Sequence, residues 1–147
     1  MTTLTSIAWT VFGIAALSLS IWTKAEVRLV YNPSESAPRG WYRINPPTDL
    51  RVGDYVIARL PRDTASFAAE RGYLPPHVPV LKQIVAAVGQ RVCIRGGTVL
   101  IDNAAVATTL SLDGKRRPLS AWSHCRKLES GELFLLNERA PSSIDSR

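Results

Sequence analysis

The chain opens on an unbroken apolar stretch and then changes character. Residues Leu4 to Trp22 carry no charged side chain and are rich in Ile, Leu, Val, Ala and aromatic residues. A helix of about 19 residues, rising about 1.5 Å per residue, nearly matches the hydrocarbon thickness of a bilayer. The stretch is therefore predicted to be a transmembrane helix, with Trp22 and Lys24 at an interfacial anchoring position. A cleaved signal peptide is the competing reading, but no Lys or Arg precedes the apolar run and no clean small-x-small site precedes Glu26. An uncleaved anchor over residues 1–24 is expected. Lys24 and Arg28 follow the helix, which by the positive-inside rule argues for a cytoplasmic C-terminal part.

From Val27 onward the apolar residues come in short runs separated by Gly, Pro, Asn and Asp, the pattern of strands and turns. Strands are predicted at Val27 to Tyr31, Asp54 to Leu60, Val80 to Val88, Arg91 to Arg95, Thr98 to Ile101 and Leu133 to Leu136. Gly96-Gly97, between two of these runs, is the strongest hairpin signal in the chain, and Asp102-Asn103 makes a further turn. Asp63 to Arg71 reads as a short helix capped by Asp63 or Thr64, with Phe67 and Ala68 inward and Gly72 at its end. Leu112 to Lys127 reads as irregular and basic, and residues 137–147 as a polar tail. One helix followed by many short strands predicts a mainly β domain over residues 25–147 behind the anchor.

The length of 147 residues suits one such domain. Eighteen basic against twelve acidic side chains give a net charge of +6, but the basic residues are scattered apart from Lys115 to Arg117, and no recognition helix or aromatic-interleaved pattern accompanies them. Nucleic-acid binding is not expected. Cys93 and Cys125 are too far apart in sequence for Cys-x-x-Cys chemistry or a zinc cluster; a single disulfide and two buried free thiols both remain open. His77 and His124 have no second ligand at metal spacing, so no metal site is expected.

Two stretches carry candidate chemistry. Ser34 to Tyr42 reads Ser-Glu-Ser-Ala-Pro-Arg-Gly-Trp-Tyr. Pro38 biases Ala37 towards extended geometry, so the hydroxyl of Ser36 is presented from a defined backbone; a polar turn is the plain alternative. Lys82 stands inside the apolar run Val80 to Val88. If that strand is buried, desolvation penalises the charged form of lysine and leaves an amine able to accept a proton, which makes Ser36 and Lys82 a possible nucleophile and general base. The alternative has Lys82 pointing to solvent from one face of a half-exposed strand. Near the end, Ser143 and Asp145 share one face of an extended segment and could hold Lys82 in position.

Ser36 with Pro38, Gly40 and Tyr42, the Leu81-Lys82 run closing at Gly89, and the 143–147 segment, in this order, resemble the signal peptidase I family of serine/lysine endopeptidases. Asn32, Arg71-Gly72-Tyr73-Leu74-Pro75, Cys93, Cys125 and the run from Gly131 to Leu136 are more closely similar to its conjugal-transfer branch, the TraF-type pilin-processing peptidases. The resemblance implies a signal-peptidase-like β domain in which Ser36 is the nucleophile and Lys82 the base. It implies an oxyanion hole from the Ser36 N–H and the Ser34 hydroxyl, and Ser143 and Asp145 as lysine-orienting residues. It implies a membrane-tethered precursor, a pilin or other exported protein, as substrate, bound extended with shallow pockets for small side chains, and no cofactor. It further implies a domain on the outer, periplasmic face of the bacterial cytoplasmic membrane, against the orientation drawn from Lys24 and Arg28, and hence a Cys93–Cys125 disulfide.

The chain departs from the family at Gln90, where Asp is usual, at Ala104, where Gly is usual, and at Ile144, where an aromatic residue is usual. Family members also continue past the position of Arg147 with Tyr-Phe-Gly-Pro and another strand, so the domain is expected to be short at its C-terminus, with Asp145 on a fraying end. A non-catalytic component of a conjugation or secretion apparatus is the second reading. A self-cleaving repressor would need a DNA-binding N-terminal domain in place of Leu4 to Trp22, and penicillin-binding chemistry would need a Ser-x-x-Lys motif that the chain lacks.

Overall fold

A computed structural model of the protein describes residues 2–22, 29–120 and 122–137. The elements in order are α1 (Thr2–Trp22), β1 (Leu29–Asn32), β2 (Gly40–Arg43), β3 (Tyr55–Ala58), α2 (Arg62–Glu70), β4 (Val80–Ala86), β5 (Arg91–Arg95), β6 (Thr98–Ile101), β7 (Ala104–Thr108), β8 (Cys125–Lys127) and β9 (Phe134–Leu136). The architecture is mainly β. Two compact units are distinguished, residues 1–30 with 43–45 and residues 31–42 with 46–147.

Helix α1 runs 21 residues without a charged side chain. Ile7, Trp9, Val11, Phe12 and Ile14 are all exposed, and at about 100° per residue they spread over more than half of the helix circumference, with Ser6, Thr10 and Gly13 in the remaining sector. The Thr10 hydroxyl donates to the Ser6 carbonyl at 2.9 Å and the Ser18 hydroxyl to the Ile14 carbonyl at 2.8 Å, so these polar groups are satisfied within the helix. Among the described residues, no helix is long and apolar enough to cross a membrane, so the span expected at Leu4 to Trp22 is not found there. Residues 23–28, with Lys24, lie outside the described residues.

In the second unit, β3, β4 and β9 form one antiparallel sheet and β7, β6, β5 and β8 another, each in that spatial order. The core joins the two: Ala86 and Phe134 from the first sheet meet Val92, Ile94, Val99 and Ile101 from the second, with Leu128. The register follows from turn chemistry. Gly96 and Gly97 have φ of 55° and 78°, and Asp102 and Asn103 have φ of 50° and 71°; two successive positive φ values match the twist of a two-residue hairpin. The second turn is held from outside. The Asp102 carboxylate accepts from the Arg91 amide at 2.8 Å and from the Gln90 side chain at 3.1 Å, and Gln90 in turn accepts from the Ala87 amide at 3.0 Å. Gln90, one of the family departures, thus has a bridging role here.

Cys93 and Cys125 lie opposite each other across β5 and β8 and form a disulfide, Cα to Cα 4.0 Å, over a sequence separation of 32. A loop of that size corresponds to about 3 to 4 kcal/mol in the chain-entropy picture. Strand β8 falls inside the segment read as irregular from the sequence, because its three residues present one disulfide cysteine and two charged, exposed side chains.

Helix α2 has Pro61 rather than Asp63 or Thr64 at its N-cap, with no side-chain cap hydrogen bond, and buries Ala65 and Ala68. Phe67, expected inward, is exposed; it carries the Arg71 guanidinium 4.3 Å over its ring. Gly72, at φ 71°, ends the helix while its amide bonds the Ala69 carbonyl and the Tyr73 amide bonds that of Ala68, the left-handed termination that glycine permits.

This helix end docks on Asp113, whose side chain is 5% exposed. One carboxylate oxygen accepts from the backbone of Lys115 and Arg117, both at 2.8 Å. The other accepts from Arg117 Nε at 2.7 Å and from the Tyr73 hydroxyl. Arg71 stands 3.8 Å away and donates to the Pro118 carbonyl, and Arg117 closes the loop on the Arg71 carbonyl at 3.1 Å. Burial alone raises the Asp113 pKa, but these hydrogen bonds outweigh it and hold the carboxyl well below the usual carboxylate range. A depressed folded-state pKa means stability that is fully present above the unfolded value, about 4, and withdrawn as pH falls below it. Asp113→Asn is expected to lower the melting temperature at neutral pH, with the gap to wild type narrowing as pH falls below about 4; thermal unfolding from neutral pH to well below that value measures it, and a constant gap would remove the carboxylate from the account.

Candidate active site

The segment after β1 is ordered by one buried side chain. Asn32, 7% exposed, donates through Nδ2 to the carbonyls of Ser34 (3.1 Å), Ala37 (3.1 Å) and Pro38 (3.2 Å). Its Oδ1 accepts from the Ser34 amide at 3.2 Å and the Ser34 hydroxyl at 2.8 Å. An extended strand thereby turns into a compact loop whose carbonyls converge on one amide. Buried Ala37 and the Tyr42 hydroxyl, which donates to the Pro38 carbonyl at 2.6 Å, complete the turn. Burial, with Tyr55 nearby, raises the Tyr42 pKa, so the phenol keeps the proton it donates.

Ser34 and Ser36 are brought together, their hydroxyl oxygens 2.7 Å apart. Ser34 is exposed and Ser36 half-buried. A shallow depression of about 280 Å³ lined by Glu35, Ala37, Pro38 and Arg39 borders the loop, with an exposed Arg39–Glu35 ion pair of 2.8 Å. A larger cleft of about 400 Å³, lined by Trp122, His124, Arg126 and Phe134 among others, includes none of the predicted catalytic residues.

Lys82 is on β4, between Val56 of β3 and the start of the β9 ladder. It alternates in register with Ile84 and Ala86, which are fully buried, and is itself 4% exposed. The solvent-facing alternative for this lysine is therefore excluded: the apolar face of the strand carries it inward. Lys82 is not without a partner. Contacts lead from its strand to the serine loop, since Tyr55, beside Val56 on β3, has its ring 5.8 Å from that of Tyr42, which bonds the Pro38 carbonyl. Ser143 and Asp145, the predicted lysine-orienting residues, lie outside the described residues.

Two side chains of the site were not singled out by chemistry in the sequence. Asn32 figured only as a family feature. Asn137, read as the start of a polar tail, is 3% exposed: its Oδ1 accepts from the Gln83 amide at 3.3 Å and its Nδ2 donates to the Leu81 carbonyl at 3.1 Å. It extends the β9 ladder by a side chain and grips the backbone on either side of Lys82. The signal available was its place directly after an apolar strand, where an amide can mimic a backbone pair.

These features define a hydroxyl-bearing loop and an inward lysine on a β scaffold, an arrangement suited to nucleophilic chemistry. The model of one family, described as signal peptidase, peptidase S26, matches residues 1–147, and the chain belongs to this family of serine peptidases. No curated protein and no solved structure matches it.

Asn137→Leu, which keeps the branching at Cγ and removes both hydrogen bonds, is expected to destabilise the protein by about 1 to 3 kcal/mol and to speed hydrogen exchange at the Gln83 amide. Unchanged exchange there would deny Asn137 its role in holding β4.

Proposed function

We propose that the protein is a membrane-anchored serine endopeptidase in which Ser36 and Lys82 form a nucleophile and base pair. The observation that carries the reading is the inward lysine of β4, 4% exposed, in a chain that also orders a serine hydroxyl on a rigid loop. Burial disfavours the charged ammonium, and a neutral Nζ takes the Ser36 proton as Oγ attacks the scissile carbonyl. The oxyanion then accepts from the Ser36 amide and the Ser34 hydroxyl, donors of a kind worth a few kcal/mol each. Lys82 returns its proton to the leaving amine, and a water molecule, deprotonated by the same amine group, hydrolyses the acyl-enzyme. Ser143 and Asp145 orient Lys82. The mechanism needs no cofactor.

The substrate is the signal or leader segment of a membrane-tethered precursor, such as a conjugative pilin, paired as an extended strand beside the site. Helix α1 is the anchor. Its length, about 31 Å at 1.5 Å per residue, suits a bilayer of about 30 Å, and its large exposed apolar side chains, with hydroxyls satisfied inside the helix, suit lipid better than water. The Cys93–Cys125 disulfide favours an oxidising compartment, hence a catalytic domain on the outer face of the cytoplasmic membrane.

Ser36→Ala and Lys82→Met are each expected to abolish cleavage of a membrane-embedded pilin precursor, followed by gel mobility shift. Met replaces the buried amine at similar length, so the variant should still unfold cooperatively on heating, which separates loss of cleavage from loss of fold. Retained cleavage in either variant would end the dyad reading.

A further inference from the structure

Asn32 does more than shape the loop, because it decides where the Ser34 proton points. Its amide orientation follows from its partners: the Ser34 backbone N–H at 3.2 Å requires the side-chain oxygen on that side, and the three carbonyls require the NH₂ on the other. Oδ1 is purely an acceptor, so the 2.8 Å bond to it uses the only hydrogen that Ser34 Oγ has. The 2.7 Å contact between the two hydroxyls must then be donated by Ser36. The resting arrangement is a directed chain, Ser36 to Ser34 to Asn32, in which Ser34 is an acceptor towards the nucleophile and its own proton faces away from it.

We propose that Asn32 is a positioning residue that parks the Ser34 hydroxyl proton until charge develops at the site. This rests on the reading of Ser36 as nucleophile and Ser34 as oxyanion donor. When Ser36 loses its proton to Lys82 and attacks, the new oxyanion is a stronger acceptor than a neutral amide oxygen, and the Ser34 hydroxyl rotates from Asn32 to the oxyanion. No covalent bond to Ser34 or Asn32 is made or broken: the Ser34 proton stays on its oxygen, and the Ser36 hydroxyl turns from Ser34 towards Lys82 and gives its proton to Nζ. Asn32 acts on the rate only through the Ser34 hydroxyl, while its Nδ2 holds the loop carbonyls that keep that hydroxyl in reach.

The test is a double-mutant cycle on the full chain in detergent, reading kcat and KM separately on a fluorogenic peptide with small residues before the cut, with melting temperatures alongside. Ser34→Ala is expected to lower kcat about 100-fold, and Ser34→Thr, which keeps the hydroxyl, to restore it to within a few fold. Asn32→Ala is expected to lower kcat about 10-fold with KM nearly unchanged, and the double variant to match Ser34→Ala alone rather than the product of the two losses. Where Asn32→Ala does not fold, Asn32→Gln carries the same cycle: it keeps an amide NH₂ for the loop carbonyls but displaces the oxygen that holds the Ser34 hydroxyl, so its kcat loss must vanish in the Ser34→Ala background. Multiplicative losses in a folded double variant, or a failure of Ser34→Thr to rescue, overturn the proposal. Ser36→Ala separates the two levels: activity surviving it defeats the nucleophile reading and this proposal together, whereas multiplicative losses with Ser36→Ala inactive defeat this proposal alone.

Discussion

The cost of holding a lysine out of water is the constraint on which the rest of the second unit depends. A lysine held out of water must be met by partners that the fold supplies, and Lys82 is not without one. Lys82 is 4% exposed and shares its strand face with Ile84 and Ala86, both fully buried. The strand cannot slip by one residue to relieve this, because that would turn Ile84 and Ala86 to the other face. The register is fixed on one edge by β3, with Tyr55 opposite Gln83 and Val56 opposite Lys82. On the other edge β9 pairs with Gln83 and Ile84, and Asn137 bonds both Leu81 and Gln83. Two ladders and a buried amide thus converge on the strand position of Lys82 and fix its place.

The serine loop is built on the opposite principle. Nothing in residues 33–36 is apolar enough to bury, apart from Pro33, so order comes from hydrogen bonds. Asn32 alone satisfies three carbonyls, one amide and one hydroxyl, and a polar loop that would otherwise sample many conformers is confined to one. Such a loop keeps its hydroxyls near water and near any docking peptide while their directions stay defined. The disulfide and the Asp113 cluster play a more distant part. They fasten β8 and the end of α2, segments with too few apolar residues to be held by the core.

Much of the fold was legible where local chemistry decides structure. Arg91 to Arg95 and Thr98 to Ile101 form strands with the bounds that Gly96-Gly97 sets, because a two-residue turn with positive φ leaves little choice. β7 and β8 were not legible, since Ala104 to Thr108 lacks alternation and Cys125 to Lys127 has a single inward residue whose partner is 32 positions away. Phe67 misled the reading of α2, because an aromatic ring can leave the core when a guanidinium covers it. In the site, Lys82 was visible as a charge within an apolar run, and Ser36 through the proline and glycine that follow it. Asn32 and Asn137 were hidden for one reason: a buried amide shows its value only through partners brought together by the fold.

The central claim is that Lys82 activates Ser36. Its most direct measurement is the rate of covalent modification by a serine-directed acylating inhibitor, followed by intact mass and peptide mapping of the full chain in detergent, for wild type and Lys82→Met. The account predicts a single adduct on Ser36 in the wild type, with the rate rising as pH increases, and no adduct on the same timescale in Lys82→Met. An adduct at another residue, or equal rates on Ser36 with and without the lysine, would contradict it.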